Sequence, residues 1–256
     1  MAETNPTPKD YFSRQSAAYA RYRPRYPSAL FAYLATAAEC RELAWDCATG
    51  SGQAAVPLAA HFARVVATDM SADQLRMAEP HERVEYRVAR AEASGLAARS
   101  VDLVMVAQAL HWFNLEAFYR EVIRVLEPGG VVAVSSYGSA TVVDAPELAS
   151  ILEHFERTTL GPYWPPGREL VGEALYTLPF PFTELKVPSF RLETEWTLEL
   201  LVGYAQSWSA TARYVAAQGH DPTLELEAAL QPVWGPPERR RLIRWPFAVR
   251  VGRYQQ

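Results

Sequence analysis

A chain of 256 residues that is 49% hydrophobic and 21% charged can bury a full core as one elaborated domain, or a core with a small cap, and should fold without staples. Its formal net charge of −4 argues against a partner that tracks nucleic-acid phosphates, and the basic run Arg239-Arg240-Arg241 reads as a solvated helix end or turn. No apolar run reaches the roughly 18 residues of a membrane span, and Cys40 and Cys47 form no C-x-x-C pair, so they read as plain thiols with no metal, in a cytoplasmic protein that is a monomer or weak dimer.

In chain order, Tyr11 to Tyr22 and Ser28 to Ala38 read as two helices. Between them lies Arg23-Pro24-Arg25-Tyr26-Pro27, whose prolines force an extended or turning link. Residues 43–53, Leu43-Ala44-Trp45-Asp46-Cys47-Ala48-Thr49-Gly50-Ser51-Gly52-Gln53, read as a buried strand, a tight Gly-containing turn and a helix start. That layout cradles a nucleotide-like ligand. The next apolar strand, Val65-Val66-Ala67-Thr68, closes on Asp69, nineteen residues after Gly50, and an acid placed there accepts hydrogen bonds from ribose hydroxyls.

Ser71 followed by Gln74 reads as a capping box for a helix over Ala72 to Ala78. Val84 to Ala89 is a third strand, and the near-continuous apolar run Val101 to Val106 is a fourth, covered on both faces. Asn114 can cap a helix from Leu115 to Glu127, which Pro128-Gly129-Gly130 stops ahead of a fifth strand, Val131 to Tyr137. Strands alternating with helices at this spacing predict a parallel α/β sheet with every ligand-side loop along its carboxyl edge. Beyond residue 140 come a helix from Pro146 to Thr159, an aperiodic aromatic and proline-rich stretch from Gly161 to Pro181, a strand over Phe190 to Trp196, a long helix from Leu198 to Ala217, a shorter one from Leu224 to Val233, and a strand over Ile243 to Val251. The two strands are expected to close an edge of the sheet as an antiparallel pair.

A dinucleotide fingerprint wants Gly at its first, third and sixth places, which here hold Ala48, Gly50 and Gln53. An NAD-dependent oxidoreductase is therefore the alternative reading, together with a non-catalytic binding protein. The stretch instead resembles motif I of the class I S-adenosylmethionine-dependent methyltransferases, D-x-G-x-G-x-G, with Asp46, Gly50 and Gly52 in place and Ala48 where the first Gly is usual. Four further stretches resemble the methyltransferase type 11 group and its trans-aconitate methyltransferase-like subgroup. They are Phe12 to Tyr19 followed by Tyr22 to Pro27; Ala91-Glu92; Gln108-Ala109-Leu110-His111-Trp112-Phe113; and Ser207-Trp208-Ser209.

The resemblance implies a Rossmann-like, doubly wound, seven-stranded, mostly parallel sheet with an N-terminal helical lid (1–40), a cofactor-binding core (41–140), and a C-terminal helical cap insertion with closing strands (141–256). It implies S-adenosylmethionine as cofactor, with S-adenosylhomocysteine as product. Gly50, Gly52 and the backbone at Ala48 hold the methionine moiety, and Asp46 belongs to the same cofactor set, with bracing of the turn as its alternative; Asp69 binds the ribose, Met70 packs on adenine, and Ala91 and Glu92 meet its edge. Tyr19 and Gln108 join the cofactor set, as does Arg23, although Arg21 and Arg25 offer the same fork to a carboxylate. His111 is the candidate base in a ligand-edge loop, and with Trp112 it alternatively just shapes the pocket. Tyr137, Trp164, Tyr204 and Trp208 are expected to line an aromatic pocket for a small-molecule acceptor, methylated on a carboxylate or hydroxyl.

Overall fold

The computed structural model describes residues 22–255. They pack as two units, the first holding residues 25–139, 169–192 and 246–255, the second residues 22–24, 140–168 and 193–245. The helix expected from Tyr11, the Phe12 to Tyr19 signature and Tyr19 itself lie outside the described residues.

Along the described chain the strands are β1 (Leu43–Cys47), β2 (Arg64–Asp69), β3 (Val84–Val88), β4 (Val101–Ala107), β5 (Leu126–Tyr137), β6 (Thr141–Val142), β7 (Thr183–Glu184), β8 (Leu192–Trp196), β9 (Arg241–Trp245) and β10 (Phe247–Arg253). The helices are α1 (Ser28–Ala37), α2 (Ala55–Ala59), α3 (Ala72–Arg76), α4 (Leu115–Val125), α5 (Ala149–His154), α6 (Leu198–Gln206), α7 (Ser209–Gln218) and α8 (Thr223–Trp234).

The first unit is built on a seven-stranded sheet in the order β3-β2-β1-β4-β5-β10-β7. The strands from β3 to β5 are parallel, and β10 runs antiparallel to both β5 and β7. Every residue of β1 is buried, as a strand covered on both faces requires. Ala44, Val65, Ala67, Leu103, Met105 and Ala133 face one layer, packed against Leu30, Phe31 and Leu34 of α1 and Leu58 of α2. Trp45, Cys47, Val104, Val106, Val132 and Val134 face the other, against Phe118, Val122 and Val125 of α4. Helices on both faces make the doubly wound α/β architecture expected from the alternation. Local signals act as read: the Ser71 hydroxyl accepts from Gln74 N at 3.3 Å, and Asn114 Oδ1 accepts from Ala117 N at 3.2 Å.

Four expectations are adjusted by the packing. With Leu30 and Leu34 fully buried, α1 is a core helix of the sheet unit and not part of a lid. The strand expected over Ile243 to Val251 is interrupted at Pro246, which has no N–H for a ladder; β9 enters a small β6-β9-β8 sheet and β10 the large one. Phe190 to Trp196 likewise enters the small sheet as β8, so β7 and not that strand lies beyond β10. Arg250 holds β7 there, donating to Glu184 Oε1 at 2.6 Å and to Leu178 O at 2.8 Å. The expected long helix Leu198 to Ala217 is two, because Trp208 is extended (φ −76°, ψ 142°) and the Ser207 hydroxyl donates to Tyr204 O at 2.6 Å.

The second unit holds the small sheet with α5 to α8. Arg241 of β9 is buried and ties its parts together, donating to Trp234 O at 3.0 Å and to Asp144 Oδ2 at 3.2 Å. Among the described residues no helix is long and apolar enough to cross a membrane.

Candidate cofactor site

The parallel sheet delivers β1, β2, β3 and β4 to one carboxyl edge, and the turn after β1 is held by the strand next to it. Thr49 N donates to Thr68 O at 2.9 Å, and Gly52 N closes the turn on Thr49 O at 3.0 Å. Three residues of this turn have left-handed backbones, Ala48 (φ 56°), Gly50 (φ 57°) and Gly52 (φ 85°). Ala48 thus adopts the conformation that glycine would supply, at a cost of about 1–2 kcal/mol.

Two carboxylates organise the turn. Asp69, ending β2, accepts from Gly50 N through Oδ2 at 2.9 Å and from Ser71 N through Oδ1 at 2.8 Å. Each of its oxygens keeps a second lone pair for a ligand hydroxyl. Asp46, at 1% exposure, accepts from the Thr49 hydroxyl at 2.5 Å, while its Oδ1 and the nearby Ser51 hydroxyl are buried without a hydrogen-bond partner. Burial pushes the Asp46 carboxyl up to about 7, and Asp69 adds to the rise, against the lowering effect of the bonds from Thr49 and the Ala55 backbone. Burial, and after it Asp46, Asp69 and Glu92, also raises the Cys47 thiol well above its ordinary value. The carboxylates of Asp69 and Glu92 that contribute to these rises make this edge negative, which favours a cationic ligand.

Met70 is 72% exposed, so it is not a core residue, and its apolar surface next to Asp69 suits a flat ring. Ala91 packs on the core beside Glu92, whose Oε1 accepts from Asn114 N at 3.4 Å and whose Oε2 lies 3.6 Å from Arg90 Nε. Gln108 is left-handed (φ 58°), and its amide is committed to β5: Nε2 donates to Tyr137 O at 3.1 Å, and Oε1 accepts from Tyr137 N at 2.7 Å and Ser136 Oγ at 2.8 Å. His111 and Trp112 sit in the short helical turn after β4, their rings 4.8 Å apart, with Trp112 55% exposed.

In the second unit, two motifs separated by 184 residues meet. Arg23 Nη2 donates to Ser207 O at 3.1 Å, at the break between α6 and α7, and its guanidinium lies 5.4 Å from the Tyr204 ring centroid. Trp164, Tyr204 and Trp208 come together: Trp208 is 5.5 Å from Trp164 and 5.3 Å from Tyr204. Arg168 stacks 4.6 Å above Trp164 and bonds Glu156. Tyr137 belongs to the first unit, where it is buried with its ring 6.4 Å from Tyr26. Arg25 and Arg213, of the same chemistry, are exposed.

Sequence reasoning passed over Tyr86, whose hydroxyl abuts Gly52, and Glu121, whose carboxylate grips the loop after β3. Glu121 was findable as an acid on the apolar face of α4, between Phe118 and Val125. A separate cavity of about 300 Å³, lined by Glu39, Glu42, Asp102 and Gly129, opens at the amino ends of β1 and β4, away from this edge.

The residues fit an adenosyl sulfonium donor on structural grounds: a turn of backbone N–H groups, buried unpaired oxygens on Asp46 and Ser51, a ribose-ready carboxylate and a negative field. Comparison with known proteins agrees. Residues 45–134 match the family described as "Methyltransferase domain". A Dictyostelium discoideum protein named as a methyltransferase is 34% identical over 235 residues, 90% of this chain and 89% of its own. An uncharacterized methyltransferase of Mycobacterium bovis is 34% identical over 190 residues, 73% of this chain and 70% of its own. A solved structure from Anaeromyxobacter dehalogenans, titled as a type II methyltransferase, is 44% identical with a TM-score of 0.81 and covers 91% of this chain and 98% of its own. The chain belongs to the class I S-adenosylmethionine-dependent methyltransferases.

Proposed function

We propose that this methyltransferase acts in the cytoplasm on a small-molecule acceptor and methylates an oxygen, that of a carboxylate or a hydroxyl. The observation that carries the reading is the Arg168 guanidinium laid over Trp164, in the cluster that Trp164, Trp208 and Tyr204 form in the second unit. Aromatic walls with a cationic fork suit a planar anion. The resemblance to trans-aconitate methyltransferase-like proteins points the same way. An exposed free thiol at Cys40 accords with a reducing compartment.

In this reading Asp46, Ala48, Gly50 and Gly52 hold the methionine end of the cofactor, Asp69 the ribose, Met70 the adenine face, and Ala91 and Glu92 the adenine edge. Gln108 acts by fixing the end of β5, and Tyr19 and Arg23 complete the set from the amino-terminal segment, which serves as the lid. When bound, the cofactor supplies a methyl group on a cationic sulfur that is its own leaving group. The chain's part is to align the acceptor lone pair and keep water away. A carboxylate with an ordinary pKa of about 4 needs no base, whereas a phenol near 10 must lose a proton, and His111 is the group proposed to take it on a ring nitrogen.

Asp69→Ala is expected to weaken S-adenosylhomocysteine binding by about 1–3 kcal/mol, because a charged acceptor is lost and Gly50 N and Ser71 N are left without their partner. Calorimetry reads this directly, and an unchanged affinity would remove Asp69 from the site.

The acceptor reading is tested by methyl transfer to a panel of carboxylates, phenols and amines between pH 6 and 9. Transfer to a carboxylate at a rate flat with pH is expected, with the acceptor KM raised about tenfold or more in Arg168→Met as a charged hydrogen bond is lost. Transfer confined to amines, rising with pH, would overturn it.

A further inference from the structure

We propose that Glu121 is a positioning residue for the adenine end of the cofactor, acting through Ser94 on the Ala91-Glu92 turn; this rests on the proposed contact of that turn with adenine. Glu121 is 7% exposed and stands among Phe118, Val122 and Val125 on the buried face of α4. A carboxylate in such a layer is costly unless its oxygens are bonded. They are, and the partners fall on the loop that follows β3. Glu121 Oε1 accepts from Ser94 N at 2.8 Å and from the Ser94 hydroxyl at 2.5 Å. Arg124 closes the other side as a fork, with Nε 2.7 Å from Oε2 and Nη2 2.8 Å from Oε1. The same Nη2 donates to Leu96 O at 2.8 Å, while Leu96 N donates to Ser94 Oγ at 3.1 Å.

The other end of the loop is fixed separately, by Ala89 N on Asp69 O at 3.1 Å and by Ala93 N on Arg90 O at 3.1 Å. Ala91 and Glu92 therefore stand between two anchors. One is the end of β2 that also carries the ribose-side carboxylate; the other is Glu121. Apolar residues in place of the whole Glu121–Arg124 pair would fill this layer at no greater cost in stability. What an apolar residue could not do is grip the Ser94 backbone and hydroxyl together, which sets where the two preceding residues stand. Supporting shells of this kind govern how accurately a contact is placed.

The test compares affinities of the whole protein for S-adenosylhomocysteine and for S-inosylhomocysteine, in which the adenine amino group is replaced by oxygen. Glu92→Gln reports on the turn itself and should collapse the preference for the adenine ligand. Glu121→Gln and Ser94→Ala should each raise the dissociation constant for S-adenosylhomocysteine about tenfold and shrink the same preference, with Ser94→Thr restoring it. Ser94→Ala leaves the Glu121–Arg124 pair intact, so it decides the matter alone should Glu121→Gln not fold. An unchanged preference in Glu92→Gln sinks the adenine reading of the turn and the proposal with it. A collapsed preference there, with Ser94→Ala and Glu121→Gln binding both ligands as the parent does or weakening both equally, leaves the reading standing and overturns the positioning role.

Discussion

Gly52→Ala is expected to cost at least about thirtyfold in S-adenosylhomocysteine affinity, through two effects that add. At φ 85° the backbone is left-handed, which a side chain resists by about 1–2 kcal/mol. The added Cβ would also collide with the Tyr86 hydroxyl and lie 3.2 Å and 3.3 Å from ring atoms Cζ and Cε1. Tyr86 cannot swing aside cheaply, because its hydroxyl donates to Glu79 O at 2.8 Å and its ring packs on the sheet face. The turn must give instead. Its displacement is transmitted directly, since Gly52 N bonds Thr49 O and Gly52 O receives Val56 N from the start of α2. Overpacking of this kind costs about 1–3 kcal/mol on top of the strain. Gly50→Ala is the internal comparison: its Cβ would meet only Gln74 Oε1 at 4.0 Å, so it bears the strain without the collision and should lose no more than about thirtyfold. Combining Gly52→Ala with Tyr86→Phe removes the hydroxyl and should recover about tenfold. Calorimetry on the four proteins checks the series, and Gly52→Ala binding like the parent would sink it.

That pair shows where the sequence is readable and where it is not. Asp46, Gly50, Gly52 and Asp69 are legible because each answers a local requirement of a strand end or a tight turn, and the structure brings them together as β1 and β2 pair. Tyr86 is legible as a strand residue only. That its hydroxyl fills the space where a Cβ of Gly52 would stand depends on the lateral order of β3, β2 and β1, which no local pattern encodes. The same holds for Gln108. Its type and place in the loop after β4 are visible, yet the commitment of its amide to Tyr137 and Ser136 follows from β4 lying beside β5.

The carboxy-terminal half was less legible for a different reason. Periodicity reads Leu198 to Ala217 as one helix because Ser207 and Trp208 do not interrupt the apolar pattern; the break comes from the capping hydroxyl of Ser207 and from Arg23, nearly the whole chain away, bonding the carbonyl exposed there. Pro246 was a visible signal of the opposite kind. A proline between two apolar runs marks the end of one strand and the start of another, here in different sheets.

Asp46→Asn should convert a pH-dependent stability into a flatter one. The Asp46 carboxyl is raised from 3.8 to about 7, chiefly by burial. The groups acting on it are Thr49 Oγ1 and the Ala55 backbone, which lower it, and Asp69, which raises it; Cys47 and Tyr86 lie close enough for Asp46 to raise theirs. Between pH 3.8 and about 7 the folded chain holds a proton on Asp46 that the unfolded chain has released. The folded state binds more protons there, so stability falls as pH rises through that window. The contribution of this carboxyl is fully present below 3.8 and lost above about 7, about 3 units in all, on the order of 4 kcal/mol. Between pH 5 and pH 8 the lost part is roughly 2–3 kcal/mol. Asparagine keeps an oxygen to accept from Thr49 and carries no charge to desolvate, so the difference in unfolding free energy, Asp46→Asn minus parent, should grow by that amount between the two pH values. Using the difference cancels the other carboxylates, which pull stability in the opposite direction as they are protonated. Denaturant melts of both proteins at pH 5 and pH 8 provide the measurement. Parallel changes in the two proteins would mean that Asp46 is ionised throughout, and that the buried end of β1 holds a carboxylate rather than a carboxylic acid at neutral pH.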